Sequence, residues 1–503
     1  MEISAWVAHW ACWTPTKTAL RFRSEATSYE QLERRTARSA GLLKAAGTDP
    51  GDCVAYLGPS SPELVELLFA CARIGAVFVP LNARMPAAEL RTFLRLTEPK
   101  VFVAERKFLP TAEDAVFEGC ELTEFVAGAG LDATANCDTV LADPQADATR
   151  PALVLFTSGT TGTPKGAMTT SEALMGNAAD TVAALRITSA DEVLTATPMF
   201  HVAGLNLLST PALSVGATVS VHEQFSADDV LKDIDSGRST LLTCPPPMTA
   251  ELASHPAWRR TALDGLRCVV TGGTTVPETS LRPWIERGVR VVQSYGLTEA
   301  GPHVTLVPLG DVPAKAATAG KPILRAELRI VDKSGREVPR GTRGEISVRG
   351  PNVMAGYWRN PDASCEAIRD GWLRTGDLGK IDNDGYLHVI GRLKEVIVVG
   401  VSNVYPADLE AVLLESPDIR AAAVVARPDD LLGEVPVVFV VPVPGTSLTP
   451  DAVLQLFDGR LAEYKHPRQV HIIDAMPCTS VGKPDTRVLR ELACAGATSE
   501  RSQ

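Results

Sequence analysis

Apolar residues in this chain fall into short unbroken runs separated by longer stretches of helical spacing. "CVAYLG" at 53–58, "ALVLFTSG" at 152–159, "RCVVTGG" at 267–273 and "VRVVQSYG" at 289–296 have strand length, and several end in Gly or Ser. A strand with one wet face alternates apolar and polar residues; one covered on both faces need not. The runs therefore predict buried, largely parallel strands of an α/β protein, with ligands at the loops on their carboxyl ends. "LVELLFACARIGAVFVPLN" is interrupted by Glu66 and Arg73 and predicts a buried helix followed by a short strand. No uncharged apolar run reaches the roughly 18 residues of a membrane helix.

The texture changes after about residue 320. "AELRIVDKSGREVPRGTRGEISVRG" reads as strand, turn, strand, turn, strand, and Asp384-Gly385 in "LGKIDNDGYLHVIGR" is a hairpin signal. From about 394 a compact α/β pattern takes over, through "EVIVVG", "YPADLEAVLLES", "IRAAAVVAR" and "VPVVFVV". A boundary is expected near Arg392–Lys394, with a small second domain after it and a frayed tail from about Ala493. The opening "MEISAWVAHWACWTP" lacks a basic region, so it does not read as a signal peptide; its three tryptophans are expected to pack a first helix onto the body.

Composition narrows the picture. The 503 residues exceed what one hydrophobic core serves, so two or more domains are expected. A net charge of −11 argues against a nucleic-acid binder. The ten cysteines show no CxxC pair or metal-ligand spacing, which fits reduced thiols in a cytoplasm.

The chemistry-bearing stretch is "LFTSGTTGTPKGAM" at 155–168. It follows a buried strand and precedes the helical pattern "SEALMGNAADTVAAL". Glycines allow close backbone approach to an anion, the hydroxyls donate to phosphate oxygens or face a metal, and Lys165 adds a point charge. It is not the P-loop of kinases, which needs Gly before its lysine and Ser or Thr after it; here Pro164 and Gly166 stand there. Elsewhere, "QSYGLTEAG" offers the flat Tyr295 and the oxygens of Thr298 and Glu299, which suit magnesium. "VVTGG" ends with bare backbone at Gly272 and Gly273, the Asp377 carboxylate could accept two hydroxyl protons, and Lys483 sits on a glycine-flanked loop.

"TSGTTGTPKG" resembles the signature loop of the AMP-forming adenylating enzymes, among them acyl-CoA synthetases, nonribosomal-peptide adenylation domains and firefly luciferase. "YGLTEA" at 295–300, "TGD" at 375–377, "GRLKE" at 391–395, "NVYPADLE" at 403–410, "YKHPR" at 464–468 and "GK" at 482–483 follow in the family's order. The resemblance implies an α/β fold with a large N-terminal domain of stacked α/β subdomains and a small β-barrel-like portion (1–391). A hinge at 392–394 about Lys394 would join it to a small mobile α+β domain (395–503). For ATP it implies Thr157, Ser158, Gly159, Thr160, Thr161, Gly162, Thr163 and Lys165, the wall Gly272, Gly273 and Thr274, and Ser294, Tyr295, Gly296, Leu297 and Thr298. It adds Asp377 and Arg392 at the ribose. Lys483, Glu299 and Thr298 are the implied catalytic residues, with Glu299 and Thr157 at Mg2+.

His201 stands where nonribosomal-peptide domains place an aspartate for the substrate amine, so an amino-acid substrate is not expected. In the acyl-CoA branch this histidine, with Val202, Gly204 and Gly301, lies by the acid pocket. A core histidine satisfied by its neighbours is the plainer alternative for His201. No arginine stands nearby to bind a second carboxylate, so a small monocarboxylic acid, fatty or aromatic, is expected. Gly400, Val401, Ser402, Tyr464, His466 and Arg468 are the implied coenzyme A residues, and Val401 replaces the second of the family's paired glycines. The expected activity is ATP-dependent acyl-CoA ligation. A carrier protein or another nucleophile as acceptor, an ADP-forming kinase or ATPase, and a homodimer stay open.

Overall fold

The computed structural model describes residues 2–117, 121–126, 130–131, 139–141, 147–157, 164–273, 276, 278–400, 402–429, 431–479 and 483–500. Among them, strands assemble into four sheets. The unbroken apolar runs form the interiors of two large ones. In the first, Cys53–Gly58 is buried at all six positions and pairs in parallel with Val77–Asn82 and Val101–Glu105. In the second, Arg290–Leu297, Cys268–Gly272, Leu241–Thr243, Glu192–Thr195, Thr218–Val221 and Thr18–Phe22 lie side by side in parallel. One apolar core joins the two sheets, with Val54, Phe78 and Leu155 from the first and Val193, Val219 and Val292 from the second. Each such side chain contributes roughly 1.5–3 kcal/mol on burial. The run 62–82 is a helix, Pro62–Ile74, then the strand Val77–Asn82, as its pattern predicts.

The segment after "ALVLF" departs from the predicted loop-to-helix order. Strand Pro151–Thr157 turns back antiparallel into Lys165–Thr170, with Thr157 opposite Lys165, and the helix Ser171–Leu185 begins only after that strand. The strand before the hydroxyl-rich stretch is therefore paired with a second strand after it, and no helix follows it directly. That second strand, "KGAMTT", has Gly166 and no β-branched residue until Thr169, so propensity hides it.

The third sheet carries Glu327–Val331, Gly344–Arg349, Ile368–Arg369, Trp372–Ile381 and Leu387–Arg392. Asp384-Gly385 turns between the last two, as the hairpin signal predicts. The middle strand expected in 326–350 is reduced to a single bridge between Val331 and Glu337, because Pro339 and Gly341 leave too little chain to pair.

The fourth sheet has its own core. Ile397, Val404, Leu409, Val424, Val438 and Phe457 pack on one side of it, and Val425, Phe439, Leu489 and Ala493 on the other. Ala493 is fully buried and the last helix runs Thr486–Glu500, so the chain does not fray at 493. At the other terminus, helix Ser4–Trp13 buries Trp6 against Phe69 and Trp10 donates to Ser214 O, but Trp13 is 71% exposed and stacks only on His9. Two tryptophans, not three, anchor that helix.

Candidate active site

The ends of the parallel strands converge on one place, as α/β topology requires. Strand Cys268–Gly272 runs into Gly273, whose φ of +84° a side chain would resist. A Cβ there would sit 3.9 Å from Cε of Lys483, so the lysine lies along this bare backbone. The loop carrying it is closed at its base: Thr479 N–H donates to Lys483 O at 2.7 Å, and Cys478 bridges Pro484. Pro484, the residue that departs from the family pattern, thus shares in holding the lysine.

The Lys483 pKa is lowered, first by burial and then by the Arg392 guanidinium. Asp377, Glu395 and Glu299 pull it back. These groups come from the second and third sheets and the connecting turn Leu393–Glu395, so the cation stands among charges that the main body supplies.

Asp377 is 5% exposed and held from two sides. Arg392 Nε is 3.0 Å from Oδ1, and the Tyr295 hydroxyl donates to Oδ2 at 2.8 Å. The arginine arrives across the hairpin, where Asp377 and Arg392 are direct partners. Each carboxylate oxygen keeps a second lone pair, so the carboxylate retains acceptor capacity. The Tyr295 ring belongs to a buried core beside Val304, Ile346 and Leu373, with 8% exposed, and its hydroxyl is committed to Asp377. Burial and the Asp377 charge push its pKa well up. Ser294, Gly296 and Leu297 lie with it on the same strand.

Thr298 and Glu299 form a 3-10 turn between that strand and Gly301–Leu306. Glu299 Oε1 accepts the Tyr357 hydroxyl at 3.0 Å. The Lys165 ammonium lies over the same tyrosine ring, 5.1 Å from its centroid. Backbone bonds lock this arrangement: Met354 N–H to Glu299 O at 2.8 Å and Trp358 N–H to Gly166 O at 2.7 Å. Thr157 Oγ1 donates to Lys165 O at 3.4 Å. Tyr357 thus joins the hairpin lysine to the glutamate, and the sequence reading missed it. Its only sequence signal is an aromatic in "AGYW", 58 residues from its partner. Ser158, Gly159, Thr160, Thr161, Gly162 and Thr163 lie outside the described residues, as do Thr274 and Val401.

His201 caps the short helix Val202–Leu205, its Nδ1 accepting from Ala203 N–H at 3.2 Å. Burial lowers its pKa to about 4, and the nearby Lys483 charge adds to this. The imidazole is therefore neutral at pH 7, with its proton on Nε2. Gly204 admits no side chain, since a Cβ would strike Pro198 O at 2.3 Å. Gly301 has φ +76°, so backbone conformation alone calls for glycine, whatever it leaves open in the pocket.

The coenzyme A candidates gather along one edge of strand Gly433–Pro442. Gly400 N–H donates to Leu432 O just before that strand, and Arg468 N–H to Pro436 O. Ser402 lies in the hairpin beside Gly400. Tyr464 is half-exposed, and His466 Nε2 contacts Leu461 O at 3.1 Å while its ring tilts on Phe457. Lys394 lies in the turn Leu393–Glu395.

The chain is similar to known proteins along nearly its whole length. Residues 7–358 match the AMP-binding enzyme family, and 408–483 match the AMP-binding enzyme C-terminal domain. The chain is 43% identical over 504 residues to an indoleacetate–CoA ligase of Aromatoleum aromaticum, covering 98% of each. It is 40% identical over 481 residues to a feruloyl-CoA synthase of an Amycolatopsis species, covering 96% of this chain and 97% of that one. The ATP-bound MatB structure from Rhodopseudomonas palustris superposes with a TM-score of 0.90 at 31% identity, covering 98% and 99%. Among the described residues no helix is long and apolar enough to cross a membrane. A large adenylating body, a half-barrel and a small C-terminal unit are common to these structures, and the chain belongs to the family of AMP-forming adenylating enzymes.

Proposed function

We propose that this AMP-forming acyl-CoA ligase activates an aromatic monocarboxylic acid and passes it to coenzyme A. The observation that carries the reading is the placement of Lys483 along Gly273, within the field of Asp377, Glu299 and Arg392. In the first step an oxygen of the acid's carboxylate attacks the α-phosphorus of ATP. The bond to the bridging oxygen breaks, and pyrophosphate leaves with the electron pair. Negative charge crowds that transition state, and fixed cations stabilise it. In this reading Lys483 bridges the acid and the α-phosphate, which its position along Gly273 supports. Asp377, held by Arg392 and Tyr295, receives the ribose hydroxyls, and Lys165 stands at the hairpin toward the β- and γ-phosphates.

Glu299 suits magnesium as part of a mixed shell. Among the described residues no group of three or more His, Cys, Asp or Glu could enclose a metal alone. A site of one carboxylate completed by Thr157, phosphate oxygens and water is the kind Mg2+ prefers. Bound there, the ion would neutralise phosphate charge.

In the second step the thiol sulfur of coenzyme A attacks the acyl carbon, its proton passes to solvent, and AMP leaves. We place the hinge for this exchange at 392–394, between 1–391 and 395–503, because the fourth sheet has a core of its own. The aromatic class rests on the two curated relatives, whose names specify indoleacetate and ferulate. Free cysteines throughout the described residues suit a cytoplasmic enzyme.

The deciding experiment is pyrophosphate release from a panel of fatty, aromatic and dicarboxylic acids, with and without coenzyme A. The reading expects aromatic monocarboxylates to lead, with AMP as product and thioester formed only when coenzyme A is present. ADP as product, or leading activity on a dicarboxylate, would overturn it.

A further inference from the structure

Beyond Glu299 the strand Gly301–Leu306 carries His303 into the interior, fully buried. Its Nε2 lies 3.4 Å from Leu207 O. A carbonyl accepts only a donor, so Nε2 bears the proton and Nδ1 is an acceptor, and Nδ1 has no partner. Burial holds the imidazole neutral, with its pKa near 4.

Three buried asparagines stand on segments that pack against its strand or bond the turn before it. Asn177 donates Nδ2 to Asn206 O at 2.6 Å, and Asn352 donates Nδ2 to Ala300 O at 2.6 Å. Those carbonyls fix both amides, so their oxygens are the free ends. Asn177 Oδ1, Asn352 Oδ1 and Asn206 Oδ1 are buried without partners. The first two side chains flank Gly301: a Cβ there would meet Asn352 Cβ at 3.7 Å and Asn177 Oδ1 at 3.8 Å. The region thus collects four unpartnered acceptors, and each left so costs about 1–3 kcal/mol. A ligand that brings an N–H or O–H relieves this; one that brings another acceptor does not.

The short helix Val202–Leu205 connects this region to the surroundings of Lys483. His201, beside Lys483, caps its start, and Asn206 and Leu207 close its end.

We propose that His303, with Asn177, Asn206 and Asn352, forms a hydrogen-bond-accepting floor of the acid pocket that selects aromatic acids bearing a ring N–H or O–H. His303 Nδ1 takes the donor, and the amide oxygens repel acceptors from the same place, a second carboxylate above all. The proposal rests on the aromatic-acid reading given above.

Two isosteric pairs test it by pyrophosphate release: indole-3-acetate against benzofuran-3-acetate, and 4-hydroxycinnamate against cinnamate. The wild-type enzyme is expected to favour the donor member of at least one pair by about tenfold or more in kcat/KM, expressed chiefly in KM. His303→Leu should bring that pair within about threefold by weakening the donor acid, while His303→Gln, which keeps an acceptor, retains part of the preference. Asn206→Leu is the second variant should His303→Leu fail to fold, and the wild-type comparison decides in either case. Equal use of both members by the wild type, as when water meets these acceptors, overturns the proposal, and so does a preference that survives His303→Leu. Pyrophosphate release from fatty acids and from no aromatic acid would be a different result, sinking the aromatic reading itself.

Discussion

The two ends of the site handle polarity in opposite ways. At the nucleotide end the acidic groups have built-in partners: Asp377 meets Arg392 and Tyr295, and Glu299 meets Tyr357, which in turn carries Lys165. At the acid end two imidazoles are held neutral and three amide oxygens have no partner. The nucleotide end must receive a highly charged ligand that never varies, so its charges are oriented beforehand by one another. On the proposed function the acid end receives a small ligand with one charge, which Lys483 meets. Further along, discrimination rests on hydrogen bonds left open for the substrate, where a missing partner costs most. Generic chemistry sits where the protein satisfies itself, and selectivity where it does not.

The strongest way to break this comparison is to remove the one charge that serves both ends. Lys483→Ala is expected to slow acyl-adenylate formation by about a hundredfold to a thousandfold, the usual loss for a transition-state donor in an enclosed site. Thioester formation from pre-made adenylate should change little, because rotation about the proposed hinge carries Lys483 away before the thiol enters. Single-turnover assays of the two half-reactions separate the outcomes, and equal loss in both would make the lysine structural. In the wild type the same residue should give adenylation an alkaline limb. Its pKa is lowered from 10.5, so the active ammonium is lost as pH rises through a value below the ordinary lysine range.

Much of the charged end was legible in the sequence, and little of the neutral end was. Lys483, Asp377, Arg392 and Glu299 lie in short local motifs, and the fold brings their charges together. The pairings that orient them were not legible: Tyr295 with Asp377 spans 82 positions and Tyr357 with Glu299 spans 58. Such contacts are made by sheet register, which local patterning does not encode. The strand Lys165–Thr170 escaped notice for a similar reason, as its pairing rather than its propensity makes it a strand. In the sequence His303 is one polar residue in an apolar run, and its burial against Leu207 O is visible only in the fold.

The acid end can be probed through stability. The His303 pKa is about 4 in the folded protein and near 6.5 in the unfolded chain, so between those values the unfolded state binds the additional proton. Stability should therefore rise with pH through this window and be lost as pH falls from about 6.5 toward 4, by up to about 3 kcal/mol from this residue. His303→Leu should flatten that part of the curve in urea titrations at pH 7, 6, 5 and 4. A slope identical to wild type would mean that His303 is not held neutral.

The smallest expected effect sharpens the charged end. Tyr357→Phe keeps the ring beneath Lys165 and removes only the hydroxyl that donates to Glu299. A hydrogen bond to a charged group contributes about 1.5–3 kcal/mol, yet the carboxylate freed here gains water or metal in exchange, so the loss should fall at the low end, about tenfold in kcat/KM for ATP. Tyr357→Leu also removes the aromatic face, worth roughly 0.5–2 kcal/mol more, and should cost a few-fold beyond that. Neither variant should alter the ranking of acids, because Tyr357 reaches the phosphate side alone. Measured across the acid panel, a changed ranking in Tyr357→Phe would show that the two ends are coupled through Glu299 and Gly301. An unchanged ranking with the graded loss on ATP would mean that the paired end and the open end act independently.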